Sequence, residues 1–272
     1  MTTADSDKLF SGSIPGLYEQ YLVPLIFRPY ADDLASRAAQ SPGTRVLEVA
    51  AGTGVVTRAL AARLPPHVEI VATDLNPAML QEAQAIGVPR AIAWRQADAM
   101  ALPFGDGEFD VVVCQFGVMF FGDKPKAFGD IWRVLRPGGR FLFSVWDGLA
   151  TNDIARVVHD AVAALFPADP PAFLGRTPYA YFDHGAIARD LSAGGFTAAP
   201  SFDILSERSR AASAMDAAIA YVQGTPLRNE VEARDPARLV EATETAARAL
   251  TQAFGSGPID AGIQAHVVVV AR

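Results

Sequence analysis

VLEVAAGTGVVT, residues 46–57, decides the fold. The run Arg45 to Val49 is short and apolar, which suits a strand buried in a parallel sheet. Ala51 to Gly54 form a loop, and Val55 to Leu64 read as a helix stopped by Pro65 and Pro66. Glycine lets a backbone approach a ligand without a Cβ in the way. A helix N-terminus adds free N–H groups and the positive end of a dipole. Such a loop suits a phosphate or a carboxylate, although the same turn also serves as a plain structural joint.

Outward from this unit the alternation repeats. Val68–Thr73, Ala91–Arg95, Phe109–Gln115 and Arg140–Val145 read as further strands, with helices over Pro77–Ala85 and Ala127–Leu135. Arg136-Pro137-Gly138-Gly139 reads as a turn. Strands alternating with helices imply an α/β fold with a parallel sheet covered on both faces. Residues 14–39 read as two short helices broken by Pro24 and Pro29, followed by an SPGT turn at 41–44. After Asp147 the rhythm changes to a helix over Thr151–Phe166, a Pro-rich stretch, and a core helix over Gly185–Ala193. Phe196–Glu207 and Ile263–Ala271 resemble two last strands, with Ala-rich helical sequence over 211–254 between them. The expectation is one domain over 1–272. It comprises a helical lid (1–40), a core (41–150), cap insertions (151–182 and 211–260) and the remaining core (183–210 and 261–272).

Composition narrows the function. Half of the 272 residues are hydrophobic and the formal net charge is -7. An acidic chain with no basic run argues against a nucleic-acid partner. The single cysteine, Cys114, excludes an internal disulfide, reads as a core residue, and points to a cytoplasmic setting. The N-terminus MTTADSDKLF is polar, and no stretch reaches the roughly 18 apolar residues of a membrane span. No metal is expected.

Two acids follow the glycine loop at informative places. Asp74 closes the second strand about 20 residues on, where a carboxylate can accept from both hydroxyls of a ribose. Its other reading is a cap for the helix that starts at Asn76-Pro77. Asp98, in RQADAMALPF, follows the third strand, with Ala99, Met100 and Leu102 placed to flank a ring. Its other reading is a solvated loop carboxylate.

VLEVAAGTG, VATDLNPAML, QADAMALPF, FDVVVCQFGVMFF and RVLRPGGRFLFSVWD together resemble, in order and spacing, the motifs of class I S-adenosylmethionine (SAM)-dependent methyltransferases. The nearest branch is similar to the ubiquinone and menaquinone biosynthesis methyltransferases. The resemblance covers residues 44–147. It implies a Rossmann-like, doubly wound, mostly parallel sheet of seven strands, with helical insertions forming a cap. It also implies SAM as cofactor. Ala50, Gly52 and Gly54 would line its methionine part, with Glu48 in the same set and Thr57 helping to hold it. Asp74 would bind the ribose hydroxyls, Leu75 and Met79 would pack on the adenine, and Asp98, Ala99 and Met100 would meet the ring and its edge. Gln115 and Phe116 would sit near the sulfonium. Ala50 departs from the family's pattern, which has glycine there.

The acceptor side is less legible. Tyr18 and Tyr21 come from the N-terminal segment, which folds over the cofactor in similar enzymes. Tyr21, His159 and His184 are candidate bases, whereas His67 and His266 read as structural. Met119, Phe120 and Phe121 follow the fourth strand at its C-terminal end, where such sheets place ligands. Phe166, Phe173, Tyr179, Tyr181 and Phe182, with Met215, Tyr221 and Leu227, read as the lining for a small, partly apolar acceptor. The same segments would otherwise cover the sheet or pair two copies in a homodimer. The expected activity is methyl transfer to a small organic molecule. The alternatives are SAM binding without transfer and a nicotinamide oxidoreductase, whose G-x-G-x-x-G pattern fails at Thr57.

Overall fold

A computed structural model describes residues 6–41 and 43–272. Pro42 of the expected SPGT turn and the first five residues of the polar N-terminus lie outside the described residues. Seven strands form one sheet: β1 Arg45–Val49, β2 Glu69–Asp74, β3 Ala93–Gln96, β4 Phe109–Gln115, β5 Leu135–Trp146, β6 Ser201–Ala211 and β7 Ile259–Ala271. Their order is β3-β2-β1-β4-β5-β7-β6. The pairs β1–β2, β1–β4, β2–β3 and β4–β5 are parallel, and β5–β7 is antiparallel. This is the expected Rossmann-like, mostly parallel arrangement. The order reverses between β1 and β4, so ligands belong in the crevice beyond the C-terminal ends of those two strands.

The chain divides into two compact units. The first, a sheet unit, comprises 29–146, 181–205 and 265–272. Its central strands are buried on both faces, as their near-continuous apolar sequence requires. One face of β1, β4 and β5 packs Val46, Val111, Val113 and Leu142 against Leu34, Ala38 and Leu60 of the helices. The helix Lys124–Val134 buries Ala127, Phe128, Ile131 and Val134, an i, i+1, i+4, i+7 stripe. Its first turn is capped by Asp123, which accepts from the Lys126 N–H at 3.0 Å.

The second, a helical unit, comprises residues up to Arg28, 147–180 and 206–264. Its helix Leu239–Phe254 packs against Asp153–Leu165 and Ala214–Val222, and the latter also packs on Tyr18–Phe27. Alanines at 217, 218, 220, 242, 246 and 247 let these helices approach closely. Among the described residues, no helix is long and apolar enough to cross a membrane.

Three local expectations are corrected. Pro24 does not break a helix, because Ile14–Leu17, Tyr18–Phe27 and Arg28–Ala39 follow one another without a loop. Tyr18–Phe27 is π-helical, with the Arg28 N–H reaching the Val23 carbonyl. The wider turn accepts a residue that lacks an N–H and would clash with the carbonyl four residues back in an α-helix. Pro29 stands in the first turn of the next helix, where a missing N–H costs least. The RPGG turn lies inside a longer β5. Phe109 pairs with Leu135 and Val111 with Arg140, so the extra residues bulge out while pairing resumes on both sides. Gly138, at φ 79, supplies the left-handed residue that the bulge needs.

Candidate active site

Two non-glycine residues among those described have left-handed backbones, Ala50 at φ 56 and Phe116 at φ 52. They directly follow β1 and β4, the two strands at the reversal of strand order. Strain of this kind costs on the order of 1–3 kcal/mol per residue and collects at ligand sites. The two strained loops also lock together. A Cβ on Gly117 would come within 2.5 Å of the Ala50 Cβ and 2.7 Å of Cys114 Sγ. Ala50, the departure from the family's glycine, therefore fits because position 117 has no side chain. Gly117→Ala is expected to destabilise the protein by about 1–3 kcal/mol through overpacking. Adding Ala50→Gly should recover part of that loss, seen as a coupling above roughly 0.5 kcal/mol in a denaturant double-mutant cycle. Strict additivity would refute the lock.

The glycine loop is tied to β2. The Ala51 N–H donates to the Thr73 carbonyl at 2.9 Å, and the Gly52 N–H donates to Asp74 Oδ2 at 2.8 Å. The other Asp74 oxygen accepts from the Asn76 N–H at 2.8 Å. Asp74 thus joins the loop after β1 to the turn after β2, which leads into the helix Pro77–Ile86 through its N-cap residue Asn76. The Asn76 side chain and the Leu75 N–H act on the same carboxylate. Burial raises its pKa, opposed by the Asn76 and Gly52 N–H groups. Gly54, at φ 83, leaves only 3.2 Å between a would-be Cβ and both Ala83 Cβ and the Trp94 ring, so a side chain there is excluded twice over.

Under the loop, Thr57 donates to Glu48 Oε2 at 2.6 Å, both residues being buried. The Thr57 hydroxyl is therefore engaged with Glu48. Leu75 is 43% exposed at the end of β2, and Met79 is buried one helical turn on. The Asp98 loop docks beside them: the Ala97 N–H donates to the Asp74 carbonyl at 3.0 Å, and Asp98 Oδ1 accepts from the Met100 N–H at 2.9 Å. Ala99 is buried, whereas Asp98 and Met100 are half-buried.

Sequence reasoning missed what pins this loop. Asp130 accepts from the Leu102 N–H. Arg133 donates to the Phe104 carbonyl at 2.7 Å and the Leu102 carbonyl at 3.0 Å, and pairs with Asp130 at 2.7 Å. An acid and an arginine at i, i+3 were the available signal, but nothing local says that they face a loop some thirty residues earlier.

Phe116 is stacked on Trp146, with centroids 3.7 Å apart and rings 3° from parallel. Tyr30 meets both edge-on, at 5.3 and 5.2 Å. Gln115 is half-buried beside it, Met119 is buried, and Phe120 and Phe121 are half-buried. Cys114 is fully buried, and burial pushes its thiol well above the ordinary range, which suits packing rather than attack.

The remaining candidates have other surroundings. In the sheet unit, His184 Nε2 and His266 Nδ1 lie 3.0 Å apart, and the His184 ring stacks on Phe202. Tyr181 donates to Asp190 Oδ2 at 2.7 Å, and Phe182 is exposed. In the helical unit, the Tyr179 and Tyr221 hydroxyls lie 3.3 Å apart, and both rings are buried. Phe166, Phe173 and Leu227 are buried there too, Met215 is exposed, and Tyr18, Tyr21 and His159 are half-buried. Tyr18 stacks on Phe27 at 5.0 Å. His67 is exposed.

Sequence and fold are similar to those of known proteins. The family model for a methyltransferase domain matches residues 47–143. An uncharacterized protein of Mycobacterium tuberculosis is 36% identical over 160 residues, covering 57% of this chain and 57% of that one. Demethylmenaquinone methyltransferase of Thermus thermophilus is 42% identical over 120 residues, covering 43% of this chain and 53% of that one. The chain thus spans about half the length of the curated relatives it matches. The solved phosphoethanolamine N-methyltransferase 2 of Haemonchus contortus, in complex with S-adenosylhomocysteine, superposes with a TM-score of 0.57. That likeness covers 100% of this chain and 61% of the other, at 17% identity, and concerns the fold alone. Residues 47–143 thus match a methyltransferase domain, and the chain resembles the ubiquinone and menaquinone biosynthesis branch of the class I SAM-dependent methyltransferases.

Proposed function

We propose that the chain transfers a methyl group from SAM to a small organic acceptor. The observation that carries this reading is Asp74, held by the Gly52 and Asn76 N–H groups at the end of β2. The residues fit the cofactor. A carboxylate, whose two oxygens offer about four acceptor sites, suits two ribose hydroxyls. Leu75 and Met79 suit a ring face, and the half-buried Asp98 suits an amine on its edge. The left-handed loop at Ala50, Gly52 and Gly54 suits close approach of the methionine part, with Gln115 and Phe116 at the end of β4. When bound, SAM supplies a methyl group already activated by its sulfonium charge.

The protein's part is then positioning, which in favourable cases lowers a barrier by about 7–11 kcal/mol. The rigid stack of Phe116, Trp146 and Tyr30 suits that task, because rings locked by neighbours hold a wall in place without reorganising. A small acceptor is supported by the acidic composition, with a net charge of -7, which disfavours nucleic acid. It is also supported by the name of the Thermus relative, a demethylmenaquinone methyltransferase. Calorimetric titration with SAM, followed by incubation with candidate acceptors and analysis for S-adenosylhomocysteine, tests the reading. Saturable binding with acceptor-dependent S-adenosylhomocysteine is expected. Binding without turnover across quinone-like, amine and phenol acceptors would leave a SAM-binding protein that does not methylate.

A further inference from the structure

Glu48 and Asp74 place two carboxyl groups on one face of neighbouring strands. Glu48 pairs with Ala72 across β1 and β2, so Asp74, two residues on, points to the same side. Strand spacing and rise put their Cα atoms about 8 Å apart. Glu48 is 2% exposed and Asp74 7%. Burial disfavours the charge of each, and a second negative charge on the same face adds to that for Glu48.

The hydrogen-bond donors are divided unequally between them. Asp74 accepts two backbone N–H bonds, each at 2.8 Å. The Glu48 carboxyl is bonded by the Thr57 hydroxyl at 2.6 Å and by the Thr57 backbone N–H. The charged or titratable groups that act on Glu48 are few. Asp74 on β2 disfavours its ionisation, and Arg58, on the helix after β1, favours it. The Arg58 guanidinium is meanwhile bonded to the Thr53 carbonyl at 2.8 Å. On β4 the register partner of Glu48 is the apolar Val113, and Cys114, one residue on, feels the Glu48 charge from the other face of the sheet. Burial, with Asp74 adding to it and Thr57 and Arg58 opposing it, pushes Glu48 up to about 8.

We propose that Glu48 is a neutral carboxylic acid in the ligand-free protein at neutral pH, and that SAM binding converts it to a carboxylate with release of one proton to solvent. This rests on reading the site as a SAM site. The O–H bond of Glu48 breaks, its electron pair stays on the carboxylate, and the buffer takes the proton. Nothing is oxidised or reduced. A ligand with a sulfonium and an ammonium brings positive charge to the loop, which favours the charged form of a nearby acid. The carboxylate that Thr57 already supports then becomes the stable state.

The sign of the pH dependence follows. Because the ligand-free value is raised, the stability Glu48 contributes is full below its unfolded value and is lost as pH rises through about 8. SAM binding runs the other way. It tightens as pH rises across the same window, by up to about tenfold per pH unit. The cofactor's own amine stays charged below its ordinary value of about 7.7, so it does not obscure this.

The test is calorimetric titration of SAM into the whole protein at about pH 6.5, well below that amine value, in two buffers of different ionisation enthalpy. The difference in heat counts the protons released. Close to one is expected for the wild type, fewer for S-adenosylhomocysteine, which lacks the sulfonium, and close to none for Glu48→Gln. Binding with equal enthalpies in both buffers overturns the proposal and leaves the cofactor reading standing. Proton release that persists in Glu48→Gln also overturns it. Absence of binding overturns both. Should the variant not fold, the infrared carbonyl band of a buried carboxylic acid decides the matter in the wild type. It should be present without SAM and lost with it, and a band that persists overturns the proposal.

Discussion

Asp74→Ala is expected to weaken SAM binding by roughly a hundredfold to ten-thousandfold, the equivalent of two charged hydrogen bonds at about 1.5–3 kcal/mol each. Two effects contribute and need separating. The substitution removes the acceptor proposed for the ribose hydroxyls, and it also frees the Gly52 and Asn76 N–H groups that hold both loops. A deoxyribose analogue of S-adenosylhomocysteine distinguishes them. The wild type should bind the analogue about ten- to a hundredfold more weakly than the parent ligand, for one lost hydrogen bond to a charged group. Asp74→Ala should bind the two almost equally. If the variant still discriminates fully, Asp74 holds the loop but does not read the ribose.

Why Asp74 was legible and its supports were not is a matter of range. The strand, the glycine loop and the acid about twenty residues later form one local unit, and local spacing survives in a sequence. Strands β1, β2 and β4 were visible for the same reason, as short apolar runs bounded by turns. The left-handed backbone of Phe116 was not visible. Nothing in QFGV demands it, and it follows from the stacking partners Trp146 and Tyr30, which arrive from distant segments. The lock between Ala50 and Gly117 is equally non-local. In hindsight, an alanine where the family has glycine was a cue to seek compensation elsewhere.

The expected acceptor lining shows a different limit. Aromatic residues in the Pro-rich and Ala-rich segments suggested a pocket. The Tyr179 and Tyr221 hydroxyls lie 3.3 Å apart in the buried interior of the helical unit, where burial also pushes the Tyr221 phenol upward. An aromatic residue at helical spacing reads alike whether it lines a cavity or fills a core, because both demand apolar surface. Proline was over-read for a related reason. Its cost is set by the α-helix, and a π-helical stretch over Tyr18–Phe27 relaxes it at Pro24.

Arg176→Met is expected to destabilise the helical unit by about 2–4 kcal/mol, a large share of a typical folding free energy. Arg176 bridges two buried carboxylates, meeting Asp7 at 2.6 and 3.2 Å and Glu230 at 2.6 Å. Each acid has further work. Thr177 donates to Asp7, and Glu230 accepts from the Ala172 and Phe173 N–H groups at 2.8 and 3.1 Å. Removing the guanidinium leaves two buried negative charges with only these weaker donors. The Arg176 side chain is itself 37% exposed, so water softens the loss, and the estimate lies below the 3–5 kcal/mol or so of a fully buried pair. Because Asp7 lies N-terminal to the helix Ile14–Leu17, its release should also expose the N-terminal segment to protease before the rest of the unit unfolds. Adding Asp7→Asn and Glu230→Gln removes the stranded charges and should restore part of the lost stability. The measurements are denaturant midpoints for the single and triple variants, with limited proteolysis of each. An unchanged midpoint in Arg176→Met would show that water and the remaining donors suffice, and that the triad does not hold the N-terminal segment in place.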